Sequence, residues 1–156
     1  MNEKVVVREI DEGDVDSLFE IFHPWRKKRE LFETYLNMHR KGERSVIVAK
    51  IGAKAVGYCT ITWESFYEQF RHRNIPEIVD LNVIDEYQGL GIAKNLIYYA
   101  EEVIKSKGHN TSGISCTPSD DFSSPCQIYV RTGYTPDGFG ITDYDEEIHL
   151  IKSLKE

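Results

Sequence analysis

Gln88-Gly89-Leu90-Gly91-Ile92-Ala93 joins a β-rich segment beginning at Pro76 to a long amphipathic helical pattern that ends at Lys107. Two glycines let the backbone turn tightly and approach a ligand. The first turn of the following helix leaves N–H groups without intrahelical acceptors, and the positive end of the helix dipole lies there. Such a turn can cradle a phosphate. A Walker-type loop needs a Lys-Ser/Thr pair after the second glycine, where Ile92-Ala93 stands. A dinucleotide fingerprint needs a third glycine-like position, an acid about 20 residues on, and a parallel β-α-β unit. The strand before this turn comes instead from an apparent antiparallel hairpin. The third reading is a pyrophosphate carried on coenzyme A.

Working outward, Glu77 to Val83 reads as the strand before the turn. The helix after it places Ala93, Leu96, Ile97, Ala100, Val103 and Ile104 on one stripe, and Gly108 supplies a left-handed stop. Upstream, Lys4 to Ile10 predicts an opening strand, with Asp11 and Asp14 as caps for a helix reaching Phe22. Pro24 breaks that helix. A second is expected over Arg26 to Arg40, with Leu31, Phe32, Tyr35, Leu36 and His39 on one face. Ser45–Ile51 and Ala55–Trp63 form a predicted hairpin around Gly52-Ala53-Lys54, and Glu64 to Asn74 a loop or irregular helix. Thr111–Cys116 reads as a strand, Ser123–Thr132 as a short helix closed by Gly133, and Glu147–Leu154 as a last strand. The order β-α-α-β-β-β-α-β-α-β implies an α/β fold: a mixed sheet flanked by helices.

At 156 residues, 40% apolar and 29% charged, the chain suits a single domain over 1–156. A net charge of −7 disfavours nucleic acid and suits a cationic substrate. Neither a membrane span nor a secretory signal is visible, so the expected location is cytoplasmic, without membrane association. Cys59, Cys116 and Cys126 are odd in number and read as free thiols in a reducing compartment; Cys126 as a nucleophile would lack a visible activator. Arg26-Lys27-Lys28-Arg29 reads as a solvated helix face. His23, His39, His109 and His149 are scattered, so no metal is expected.

The turn resembles the Gln/Arg-x-x-Gly-x-Gly/Ala signature of the GCN5-related N-acetyltransferases (GNAT). Ile128-Tyr129-Val130-Arg131-Thr132-Gly133-Tyr134 is similar to the family's Leu-Tyr-x-Lys/Arg-x-Gly-Phe/Tyr segment. Element order and length agree along nearly the whole chain. Phe122 and Pro125 depart from the Asn and Ala that members often carry there.

The resemblance implies a mostly antiparallel central sheet of six to seven strands with about four helices. It also implies direct acetyl transfer from acetyl-CoA to a primary amine of a small molecule or peptide. Backbone N–H groups of Gly89, Leu90, Gly91, Ile92 and Ala93 would hold the pyrophosphate, with Gln88 shaping the turn. Leu81 and Val83 would offer main-chain groups to the pantetheine arm, the Val83 N–H also polarising the thioester oxygen. Tyr129 matches the tyrosine that meets the departing sulfur. Glu77, six residues before Val83, matches the catalytic glutamate of related histone acetyltransferases, and Asp80 is the backup base. Strand alternation puts Glu77, Val79, Leu81 and Val83 on one face and Asp80 on the other. Trp25, Trp63, Phe66, Tyr67, Phe70 and His72 make an aromatic region near the expected acceptor side. Members are often dimers, so a homodimer is one expected assembly. The rival reading is a noncatalytic acyl-CoA-binding sensor.

Overall fold

Runs of Val, Ile and Thr that alternate or stay apolar set the strands. The computed structural model describes residues 4–155. In chain order it contains β1 (Val5–Glu9), α1 (Asp14–Phe22), α2 (Arg29–Arg40), β2 (Arg44–Ile51), β3 (Lys54–Thr62), α3 (Glu68–His72) and β4 (Glu77–Val83). There follow α4 (Ile92–Ser106), β5 (Thr111–Cys116), α5 (Pro125–Arg131), β6 (Thr135–Ile141) and β7 (Ile148–Ser153). Hydrogen bonding orders the strands β1-β2-β3-β4-β5-β7-β6. β1–β2, β2–β3, β5–β7 and β6–β7 are antiparallel and β4–β5 is parallel, giving the expected mixed sheet at its upper count of seven strands.

The chain packs as two compact units. The first combines the residues up to Thr62 with Asp80–Ala100. In it, Leu18 and Phe22 of α1 and Phe32, Tyr35 and Leu36 of α2 bury against Val46, Val48 and Tyr58. Tyr58 meets Phe22 and Phe32 in T-shaped contacts at centroid distances of 5.1 and 5.4 Å, a favoured aromatic geometry. Asp14 is fully buried and fully paired. Arg8 grips both its oxygens at 2.7 and 2.9 Å, Lys50 lies at 3.0 Å, and the Asp11 N–H donates at 2.9 Å. These donors hold the Asp14 carboxyl below the usual carboxylate range although burial pushes it upward.

Helix α2 starts at Arg29, so the basic run is not a helix face. Arg26 takes a left-handed φ of 62° after the His23–Trp25 turn. Lys27 pairs with Asp80 at 3.1 Å and Arg29 pairs with Asp16. Tertiary partners, invisible to local periodicity, dispersed the run.

The second unit combines Trp63–Val79 with the residues from Glu101 onward. Phe70 of α3 lies directly on the β5 backbone: a Cβ at Gly113 would sit 2.3 Å from its ring. Glu101, Tyr134 and Ser112 form a buried polar chain joined by the half-buried Lys152, with Tyr134 Oη 2.9 Å from Glu101 Oε2 and 2.8 Å from Ser112 Oγ, and Lys152 Nζ 2.9 Å from Glu101 Oε1. β6 was not expected. Pro136, Gly138 and Gly140 are poor strand formers, most of the strand is exposed, and its register with β7 breaks between Pro136 and Ile141.

The free-thiol expectation is overturned for two cysteines. Cys116 ends β5, Cys126 lies in the first turn of α5, and they form a disulfide with Cα atoms 5.4 Å apart. The intervening turn brings them together, which spacing alone does not reveal. Among the described residues Cys59 is the free cysteine, and it is buried. The free-thiol argument for a reducing compartment therefore falls.

Candidate functional site

The Gly-rich turn belongs to the first unit. β4 ends at Val83, and a single 3-10 turn over Asp85–Tyr87 leads to Gln88. The Gln88 side-chain amide donates to the Val83 carbonyl at 2.9 Å and to Asp85 Oδ1 at 3.1 Å, tying the turn back to the strand end. Gly89 and Gly91 adopt φ of 81° and 82°, where an L side chain is strained, and a Cβ at either would meet nothing within 4 Å. The loop is thus shaped by backbone conformation and open on its outer side.

Ile92, Ala93 and Lys94 open α4 before the first α-type bond, from Asn95 N–H to the Gly91 carbonyl at 3.1 Å. Their N–H groups precede any intrahelical acceptor. The first turn carries Lys94 and no acid. These features fit the pyrophosphate of coenzyme A, because such an anion needs outward N–H groups and an uncluttered approach. Gly57 of β3 lets this part of the unit close up: its Cβ would lie 3.1 Å from the Asn82 carbonyl and 3.3 Å from Leu96.

Asp80 sits in the same unit, in β4, with a left-handed φ of 54° that interrupts the regular pleat. Strict two-residue alternation therefore does not run from Glu77 to Val83. Tyr35 Oη donates to Asp80 at 2.7 Å, Tyr58 Oη at 3.1 Å, Lys27 Nζ at 3.1 Å and Asn82 Nδ2 at 2.8 Å. Burial raises this carboxyl, but Tyr35, Asn82 and Lys27 outweigh it and hold it below its usual range. Leu81 is half-buried and Val83 buried beside it.

Glu77 lies in the second unit, only 5% exposed. Ser65 donates to its Oε1 at 2.5 Å and Ser115 to its Oε2 at 3.1 Å. Burial pushes the Glu77 carboxyl above the ordinary carboxylate range. The two hydroxyls pull it back, the charges of Glu147 and Asp145 push it up, and the balance is a raised pKa. Glu147 is also raised, by burial and then Asp145, with Ser115 opposing. β4 and β5 pair here as Glu77↔Gly113 and Ile78↔Ile114, which brings Glu77 near Ser115 two residues further along.

Tyr129 is buried on α5, in the second unit. Its carbonyl accepts from Thr132 N–H at 3.0 Å, Thr132 Oγ1 at 2.8 Å and Tyr134 N–H at 3.1 Å. Those bonds stop the helix and turn the chain through Gly133, which explains the local Thr132-Gly133-Tyr134 sequence. Ser124 caps the helix start, its Oγ accepting from Gln127 N–H at 3.4 Å, with Pro125 as the first helical residue. Phe122 is exposed beneath the Arg131 guanidinium, 3.7 Å from the ring centre. The two departures from the family pattern thus build an ordinary helix start.

Asp80, Leu81, Val83, Gln88, Gly89, Leu90, Gly91, Ile92 and Ala93 belong to the first unit, Glu77 and Tyr129 to the second. Of the aromatic region, Phe70 and Tyr67 are packed, Tyr67 stacking on His149 at 3.6 Å, while Phe66 is 81% exposed beside Tyr144 at 5.6 Å. Sequence reasoning missed Ser65, Ser115 and Glu147 around Glu77, and Lys27, Tyr35 and Tyr58 around Asp80. A charged position inside a strand asks for partners, yet only the fold supplies their names. Among the described residues no group of His, Cys, Asp or Glu is arranged to hold a metal ion, and no helix is long and apolar enough to cross a membrane.

The Acetyltransferase (GNAT) family matches residues 13–134, a span containing both sequence motifs. An uncharacterized N-acetyltransferase from Archaeoglobus fulgidus is 26% identical over 107 residues, covering 62% of this chain and 71% of that protein. The crystal structure of an N-acetyltransferase from Staphylococcus aureus Mu50 superposes with TM-score 0.76 at 14% identity, covering 97% of this chain and 99% of that one. The PaiA N-acetyltransferase from Thermoplasma acidophilum, solved in complex with coenzyme A, gives TM-score 0.70 at 16% identity over 96% and 99%. The family match extends over most of the chain and the fold agrees with it: this protein belongs to the GNAT family of acetyltransferases.

Proposed function

We propose that residues 1–156 work as one acetyl-CoA-dependent N-acetyltransferase domain, acting on a primary amine of a small molecule or peptide. The observation that carries the reading is the open, glycine-shaped turn ahead of an acid-free first helical turn, in a chain of this family. Bound acetyl-CoA would supply an acyl carbon activated as a thioester. The N–H groups from Gly89 to Ala93 hold its pyrophosphate, and the main chain of Leu81 and Val83 takes the pantetheine arm. The Val83 N–H is the donor for the thioester oxygen.

An alkylammonium has a pKa near ~10 and must lose a proton before its nitrogen attacks. Glu77 takes that proton. Its raised pKa brings it closer to neutrality than an ordinary carboxylate, and its oxygens keep lone pairs beyond those used by Ser65 and Ser115. Asp80 is the weaker candidate, because four donors already occupy it and its pKa is lowered. Tyr129 stabilises the departing thiolate by hydrogen bonding, since a phenol near ~10 gives up its proton less readily than a thiol near ~8.5. The cytoplasm is the proposed location, where the thiol pool would tend to open the Cys116–Cys126 bridge.

The test is free CoA release from acetyl-CoA across a panel of amines. Turnover with an amine and N-acetyl product supports the reading. Tight CoA binding with no turnover on any amine favours the sensor instead. A melting temperature raised by ATP and not by CoA would exclude both.

A further inference from the structure

Glu77 is nearly sealed from water, so a proton that it accepts needs a way out. Ser115 Oγ lies 3.1 Å from Glu77 Oε2 and 3.3 Å from Glu147 Oε1. One hydroxyl has one hydrogen and cannot donate to two ionised carboxylates together. Both contacts are made only when one carboxyl carries a proton and donates to Oγ in turn. Glu147 is only half-buried, immediately before β7.

A second observation marks the same face. His149 stands directly opposite Ser115 in the β5–β7 register, so their side chains share one side of the sheet. It is 2% exposed, and its Nδ1 has no hydrogen-bond partner among the described residues. A buried unmet nitrogen is what an incoming polar ligand would satisfy.

We infer that Ser115 and Glu147 form the exit for the proton that Glu77 takes from the acceptor ammonium. The inference rests on the reading of Glu77 as base. The ammonium N–H bond breaks and a Glu77 O–H bond forms, leaving a neutral amine. The Glu77 proton then passes to Ser115 Oγ while the Ser115 hydrogen passes to Glu147 Oε1. Glu77 is again a carboxylate, Ser115 again a hydroxyl, and Glu147 a carboxylic acid that releases its proton to water. The charged and titratable groups facing this chain are Asp145 and Tyr144 before β7, Arg71 of α3, Asp137 of β6 and His149 of β7. Burial keeps His149 below its usual pKa, although Asp145 and Asp137 oppose this, so it stays neutral and does not capture the proton.

The test uses the full chain with an amine that supports turnover, measuring kcat against pH for wild type, Glu77→Gln, Ser115→Ala, Ser115→Thr and Glu147→Gln. Ser115→Ala and Glu147→Gln are expected to lower the kcat plateau roughly tenfold, at unchanged KM for acetyl-CoA. Ser115→Thr should restore it, and added imidazole should restore both deficient variants by carrying the proton itself. The acidic limbs move oppositely. Losing the Glu147 charge shifts the limb to lower pH, and losing the Ser115 hydrogen bond shifts it to higher pH. A purely electrostatic role would move the limbs and leave the plateaus. Undiminished plateaus in both variants, with Glu77→Gln impaired, would overturn the exit and spare the base. An unchanged acidic limb in Glu77→Gln would overturn the base and the exit together. Should Ser115→Ala not fold, the half-exposed Glu147→Gln decides.

Discussion

Glu77 and Asp80 are carboxylates three positions apart on β4, and their neighbours push them in opposite directions. Burial and two nearby acids leave Glu77 with a raised pKa against the pull of two serine hydroxyls, while a lysine, two phenols and an amide hold Asp80 ionised. If Glu77 is the base, the rate climbs as pH rises through its raised pKa, because only the carboxylate accepts a proton. Glu77→Gln should flatten that acidic limb in a pH–rate profile. Asp80→Asn should keep the limb and instead cost about 2 kcal/mol of stability, read in a urea titration, since it leaves Lys27 without its partner. The reverse pattern would exchange their roles. Tyr129→Phe should reduce kcat about tenfold to a hundredfold with little change in CoA affinity. Wild-type turnover in that variant would remove the phenol from the chemistry.

At the scale of elements, the turn before α4 depends on backbone conformation. Gly91→Ala keeps the surrounding space but forces an alanine toward φ of 82°, at a cost of roughly 1–2 kcal/mol. Relaxing that strain would withdraw the N–H groups from their common target. CoA affinity should fall about tenfold, in proportion to that energy, when measured by calorimetry. Unchanged affinity would take this turn out of the pyrophosphate site. The glycine pattern and the helix behind it were legible in the sequence because both are local: hydrophobic period, turn residues and stop signals lie within a few positions of one another. β6 was not legible, because its proline and two glycines contradict strand propensity and its pairing to β7 is what makes it a strand.

At the scale of the whole molecule, the Cys116–Cys126 bridge closes a loop with a sequence separation of 10. By chain entropy such a closure contributes about 2–3 kcal/mol. Reduction with dithiothreitol should therefore lower Tm by roughly 5–10 °C, and Cys116→Ser should match the reduced protein and lose its sensitivity to the reductant. Cys59, buried and unpaired in the first unit, should not contribute to the difference. A Tm indifferent to reductant would mean that the bridge adds nothing to stability.

The family, the mixed sheet and the glycine-shaped turn before α4 could be read from the chain, because each is carried by short runs of residues whose order alone encodes the geometry. Glu77 was named by its place relative to Val83. Its surroundings were not. Ser65, Ser115 and Glu147 are separated from it by 12, 38 and 70 positions, so no periodicity joins them; the pairing of β4, β5 and β7 brings in Ser115 and Glu147, and the segment between β3 and α3 brings in Ser65. The same holds for Lys27 at Asp80 and for the disulfide. Local sequence determined most of the elements and the glycine turn between β4 and α4. Tertiary packing decided which carboxylate is raised, which is locked in place, and which cysteines meet, because charge and burial depend on distance in space and not along the chain.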